Sequence, residues 1–114
     1  MRPIALSEIC RFRPAKFLPE LVRGSDGARV FLLCLEPGQG LPPRADSEEV
    51  ICHCLDGTAS LTLGDETVPF SAGQLAVADP GLVRGIRAVE RCTVLWVHIA
   101  ASAGARRTDE EDES

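Results

Sequence analysis

The sequence has no tyrosine, one tryptophan, one methionine and only two histidines in 114 residues. Tyrosine and histidine are among the side chains that most often move protons, so their scarcity argues against acid–base catalysis. No apolar run approaches the roughly 18–20 residues a helix needs to cross a bilayer. The first residues, Met1 to Glu8, lack the continuous apolar segment of a secretory leader. No lysine–arginine run supplies the electrostatic footprint of a nucleic-acid binder, and 12 basic residues face 17 acidic ones. The expected partner is therefore a small molecule rather than nucleic acid or a membrane. The length suits one domain with one modest core.

The formal charge of −5 is unevenly spread. Asp109, Glu110, Glu111, Asp112 and Glu113 form an acidic block behind an Ala/Ser/Gly stretch, and residues 101–114 read as a solvated tail. The preceding residues are close to neutral. Five cysteines (Cys10, Cys34, Cys52, Cys54 and Cys92) are an odd number without framework spacing. That pattern points to a reducing cytoplasm, with most thiols serving as small buried apolar groups.

What remains is a series of short strands separated by turn signals, the pattern of an all-β sandwich or barrel. Arg29–Leu35 ends at Pro37-Gly38, and Val50–Leu55 ends at Asp56-Gly57. Ala59–Leu63 turns at Gly64-Asp65-Glu66 into Thr67–Phe70, Gln74–Ala78 stops at Asp79-Pro80-Gly81, and Cys92–Ile99 is the last run. Helix signals are confined to the front, where Ser7 is placed to cap a turn reaching Phe12 before Pro14 intervenes. Too few helical residues exist to cover the strands, so the strands must cover one another. Residues 29–100 are read as the barrel, and residues 1–28 as a strand or turn segment packing on it or on a partner.

Two segments carry a more specific pattern. Pro37-Gly38-Gln39-Gly40 followed by Glu48 to Gly57 resembles the first cupin motif, G-x5-H-x-H-x3,4-E-x6-G. Ala72-Gly73 through Asp79-Pro80-Gly81 resembles the second, G-x5-P-x-G-x2-H-x3-N. The resemblance covers about residues 29–99 and implies a one-domain jelly roll, the double-stranded β-helix. It also implies a site, since a typical cupin holds iron, manganese, zinc or nickel with three His and one Glu. At those positions this chain has Arg44, Asp46, Val50 and Arg84, with Glu49 one residue from the acid position. Guanidinium offers no lone pair to a cation. The expectation is a barrel with neither the usual metal nor another cofactor.

Strand alternation then places Val50, Cys52 and Cys54 toward the lumen and His53 outward. Arg44, Asp46 and Arg84 stand where metal ligands normally converge, and Trp96, a core or interface residue by type, is placed with them in the barrel pocket. Three arrangements are open. Two arginines grip a carboxylate or phosphate, Asp46 pairs with one arginine and plugs the barrel mouth, or the Pro42–Asp46 loop swings out. Cys52-His53-Cys54 splits across two strand faces and cannot chelate as a unit. Arg84-Gly85-Ile86-Arg87 with Arg91 reads as a solvated basic loop balanced by Glu90. Outward Ile51, His53 and Leu55 suit packing on a second copy, with Ile4–Phe17 crossing over as an added strand. The functional expectation is a metal-independent cupin binding a small anion. The alternatives are an isomerase or epimerase, a metal enzyme using Cys52, Cys54, Glu49 and His98, and a structural or regulatory dimer with a filled barrel.

Overall fold

The computed structural model describes residues 2–100; the acidic tail read from the sequence lies outside them. After a one-turn helix α1 (Leu6–Ile9) come nine strands. They are β1 (Glu20–Gly24), β2 (Ala28–Leu35), β3 (Gly40–Ala45), β4 (Glu49–Asp56), β5 (Thr58–Leu63), β6 (Glu66–Ser71), β7 (Leu75–Ala78), β8 (Val83–Ala88) and β9 (Cys92–Ile99). One sheet has the order β1-β2-β9-β4-β7 and the other β3-β8-β5-β6, with antiparallel pairing throughout. Among the described residues no helix is long and apolar enough to cross a membrane.

Each sheet turns one face to the other, so alternate residues form the core. From the larger sheet come Leu33, Leu35, Val50, Cys52, Cys54, Val94 and Trp96; from the smaller come Leu61, Phe70 and Ile86. The intervening residues Ile51, His53 and Leu55 on β4 face outward. Cys92, Val94 and Trp96 point inward from β9, and His98 continues the same face at its rim.

Three strands escape the sequence pattern, each for a local reason. β3 reads Gly-Leu-Pro-Pro-Arg-Ala, and its two prolines fall in the register shift between Leu41 and Arg44 on an edge strand. An edge bulge is where a missing N–H does least damage. β8 is not the solvated loop expected from its composition: Arg84, Ile86 and Ala88 alternate inward, with an arginine at a core position. β1 lies between Pro19 and Gly24, too short to show a period, and pairs with β2 of its own chain.

The N-terminal segment departs from expectation in its cap. Within its own chain Ile4–Phe17 forms a helix over Leu6–Ile9 with Ala5 at the N-cap, so Ser7 lies inside the turn and caps nothing. The segment is held down by contacts instead. Cys10 forms a disulfide with Cys34 on the outer side of β2, with Cα atoms 5.9 Å apart. Arg91 lies over the Phe12 ring at 4.4 Å and binds Glu36 through two hydrogen bonds, so its partner is Glu36 and not Glu90. The amide of Gln39 donates to the Arg13 carbonyl at 2.7 Å. Cys52, Cys54 and Cys92 are free and buried, as expected of most of the thiols, and the other two cysteines are paired. The odd count conceals this because 24 positions separate the two in sequence.

Candidate functional site

The site lies at one end of the barrel, where β3, β8 and β9 converge. In the β3–β8 register Arg44 is directly opposite Arg84. Facing residues in an antiparallel pair share a sheet face, so both arginines are aimed toward the interior end, yet they do different things. Arg84 is only 4% exposed. Its Nε donates to the Leu82 carbonyl at 2.6 Å, Nη1 to Glu48 at 3.0 Å, and Nη2 to Asp79 at 2.9 Å and Asp46 at 3.3 Å. Four of the five N–H donors of a guanidinium are thus committed to backbone carbonyls from two loops. Arg44 is exposed and makes no hydrogen bond or ion pair with any described residue.

Asp46 closes the turn into β4. Its Oδ1 accepts a hydrogen bond from the Glu48 amide at 3.0 Å, the side-chain turn that aspartate makes readily. That backbone donor holds the carboxyl below its ordinary range against the opposing effect of burial, with His98, Arg84 and Arg44 adding in the same direction. Asp46 therefore stays ionised and forms no salt bridge with either arginine.

Between these groups lies a cavity of about 200 Å³ lined by Leu41, Pro42, Arg44, Asp46, Arg84, Trp96 and His98. A larger depression of about 310 Å³ on the outer side of β3, β8 and β5 is lined by Ser60, Thr62 and Arg87 among others, away from the converging charges. Chemistry favours the smaller cavity, where an apolar floor meets charges of both signs.

The structure thus brings together Arg44, Asp46, Arg84 and Trp96 of the residues singled out in the sequence. It does not bring in Val50, Cys52 and Cys54, which face inward but pack in the closed core beneath. Burial pushes the Cys52 thiol up to about 12, and Cys54 is also raised chiefly by burial. Both are neutral packing groups at pH 7, far from the reactive thiolate range.

His98 completes the site, and sequence reasoning does not place it there. The available signal is period two: it follows Trp96 on the same face of β9. Its Nδ1 lies 3.0 Å from a Glu48 oxygen but off the line of a hydrogen bond, so the contact is electrostatic. Arg29 binds the same oxygen from the other side. The Phe31 ring meets the imidazole edge-on with centroids 5.8 Å apart. Burial lowers the His98 pKa below its usual value, and nearby Arg29 acts in the same sense; Glu48 and Asp46 oppose them. The folded chain then binds fewer protons than the unfolded chain just below the free-histidine pKa of about 6.5. Stability is expected to fall as pH drops through that region. Thermal melts from pH 7.5 to 5.5 check this, with His98→Gln flattening that part of the profile; an equally steep profile in the variant would contradict it.

The residues at the motif positions do not fit a divalent metal. The guanidinium of Arg84 fills the ligand region with a fixed positive charge, and Arg44 adds a second. Among the described residues no group of three or more His, Cys, Asp or Glu is placed to hold an ion. This includes Cys52, Cys54, Glu49 and His98, the atypical ligand set considered from the sequence.

Comparison with known proteins agrees with this architecture. Residues 31–98 match the model of the cupin domain. The fold is similar to an RmlC-like cupin protein from Desulfovibrio desulfuricans, with 28% identity, a TM-score of 0.78, and 87% of this chain and 96% of that one covered. It is also similar to the protein TT1209 from Thermus thermophilus, with 24% identity, a TM-score of 0.81, and 87% and 97% covered. A conserved protein with a double-stranded β-helix domain from Klebsiella pneumoniae gives 20% identity, a TM-score of 0.79, and 87% and 90% covered. No match is found among curated proteins. With nine antiparallel strands in two facing sheets and most of the barrel within the family match, the chain belongs to the cupin family.

Proposed function

We propose that this cupin binds a small anionic molecule in the barrel-mouth cavity and that Arg44 is its anion anchor. The observation that carries the reading is an unpaired guanidinium on the wall of a cavity that also has an apolar floor. Arg84 contributes positive potential and holds the wall in place, since most of its donors are already used. A bidentate guanidinium–carboxylate contact is worth about 1.5–3 kcal/mol, or roughly 10- to 100-fold in affinity. Arg44→Gln is expected to weaken binding of small carboxylates by that factor in calorimetric titration while leaving the melting temperature nearly unchanged. Unaltered carboxylate affinity in the variant would remove Arg44 from the site.

The cavity of about 200 Å³ leaves room for a ligand at the barrel mouth, above a core filled by the chain's own side chains. His98 supports a second reading, proton-transfer chemistry such as isomerisation, because a neutral imidazole on the cavity wall is a suitable base. The proposal also places the chain in the cytoplasm. There Cys52, Cys54 and Cys92 stay reduced, and the Cys10–Cys34 pair faces a reducing thiol pool.

A homodimer through the outer face of the larger sheet is also part of the proposal. Leu75 is 63% exposed and Val77 43%, beside the half-buried Ile51, His53 and Leu55. Stable interfaces bury roughly 1,200–2,000 Å² in total and concentrate apolar groups at their centre. Light scattering at tens of micromolar is expected to give twice the chain mass, and Leu75→Glu with Val77→Glu to halve it. A monomeric mass for the unaltered chain would end this part of the proposal.

A further inference from the structure

We propose that the ligand is a small carboxylic acid bearing a hydrogen-bond donor, a hydroxyl or an ammonium group, on the carbon next to its carboxylate. The inference rests on the assignment of Arg44 as anion anchor and adds what the rest of the cavity demands.

The cavity wall carries two open groups of opposite sign. Arg44 makes no hydrogen bond or ion pair with any described residue, and its only interaction with Asp46 is through space. Asp46 uses Oδ1 on the Glu48 amide, and its Oδ2 carries no hydrogen bond from a described residue. The two lie two residues apart in the chain and line one small space without pairing. An ionised carboxylate only accepts hydrogen bonds, so the ligand must offer a donor to Asp46 while it offers an anion to Arg44. Asp46 is held in that ionised state by its backbone donor and by the surrounding cations.

This requirement separates candidate anions. A phosphate carries up to two negative charges and mostly acceptor oxygens, so its repulsion from the ionised Asp46 outweighs what its hydroxyl can donate. A simple carboxylate satisfies Arg44 but leaves Asp46 unmatched. A carboxylate with an adjacent hydroxyl or ammonium meets both groups at once. Size points the same way, because about 200 Å³ lies below the roughly 300–1,000 Å³ typical of larger ligands. Leu41, Pro42 and Trp96 leave an apolar surface for a short aliphatic remainder.

Isothermal titration of the full chain with propionate, L-lactate, L-alanine and inorganic phosphate at matched ionic strength tests the proposal. Propionate and lactate differ by one hydroxyl, and propionate and alanine by one ammonium group. The expected result is that lactate or alanine binds at least roughly tenfold more tightly than propionate, the size of one hydrogen bond to a charged group, with phosphate weakest. Whichever of the two is tighter identifies the donor. Asp46→Asn keeps an oxygen for the Glu48 amide but turns an amide N–H₂ toward the cavity, and should reduce the preference to within about twofold while propionate still binds. Asp46→Ser, which also retains an acceptor for that amide, serves if the asparagine variant folds poorly. Equal affinities for propionate, lactate and alanine in the unaltered chain, or a preference that survives both substitutions, would overturn the inference. If propionate then still binds in an Arg44-dependent way, the anion-site reading stands alone; if no carboxylate binds, both fall.

Discussion

Arg84→Met is expected to lower unfolding stability by about 3–5 kcal/mol, because several buried carbonyls lose their charged donor at once. The arginine is nearly inaccessible, and its donors bind carbonyls of Asp46, Glu48, Asp79 and Leu82. Methionine fills similar space but supplies no N–H, leaving these carbonyls without their partner. Each buried unmet acceptor costs about 1–3 kcal/mol, less where the loops relax and water enters, so the losses do not simply add. For a domain of this size the change corresponds to a drop of roughly 12 °C or more in melting temperature. Arg84→Lys retains the charge but not the planar fork, and should fall between the two. A methionine variant within about 1 kcal/mol of the parent in urea denaturation would show that the carbonyl cluster is solvated without the arginine. The same substitution is expected to separate the two arginines: Arg84 acts on stability, whereas the proposed role of Arg44 is in ligand affinity.

Gly57→Ala is expected to be more damaging still, with a loss above roughly 4 kcal/mol and little soluble folded protein. Gly57 joins β4 to β5 with φ +82°, a left-handed conformation that costs an L-residue about 1–2 kcal/mol. A methyl group there would also lie 2.1 Å from the Arg91 carbonyl oxygen and 2.7 Å from the Cys92 Cα. Those are backbone atoms at the head of β9, which runs between β2 and β4, so relief requires moving a central strand. Gly73 provides the comparison, because its φ is +89° but nothing lies within 4 Å of its added methyl. Gly73→Ala should cost only the conformational term, about 1–2 kcal/mol. Equal melting temperatures for the two variants would refute the steric argument, since their backbone strain is alike.

How far the sequence can be read depends on the range of the interaction concerned. Val50, Cys52 and Cys54 show their inward face without any knowledge of neighbours, because side chains alternate along a strand. The Cys92–Ile99 strand is legible for the same reason, being long, apolar and rich in β-branched residues. β3 and β8 are not, because Pro42, Pro43 and Arg84 are poor strand-core residues by type. Each becomes tolerable only beside the other strand: the prolines sit at an edge bulge, and the arginine finds carbonyls from two loops. His98 is visible as a residue but not as a neighbour of Arg44 and Asp46, which stand on β3 and the turn after it, far back along the chain.

By itself, then, the scarcity that marks this chain, with two histidines and no tyrosine, was enough to exclude the family's ordinary ligand set and to leave arginines in its place. The period-two pattern was enough for an all-β barrel. Only the tertiary structure decided that Arg84 is bound up in backbone carbonyls while Arg44 remains open. It also decided that Asp46 pairs with neither, and that Cys10 is joined to Cys34. The reason is physical: the face a residue presents is set within two neighbours along the strand. What it meets there depends on register across strands and on the loops that close the barrel end.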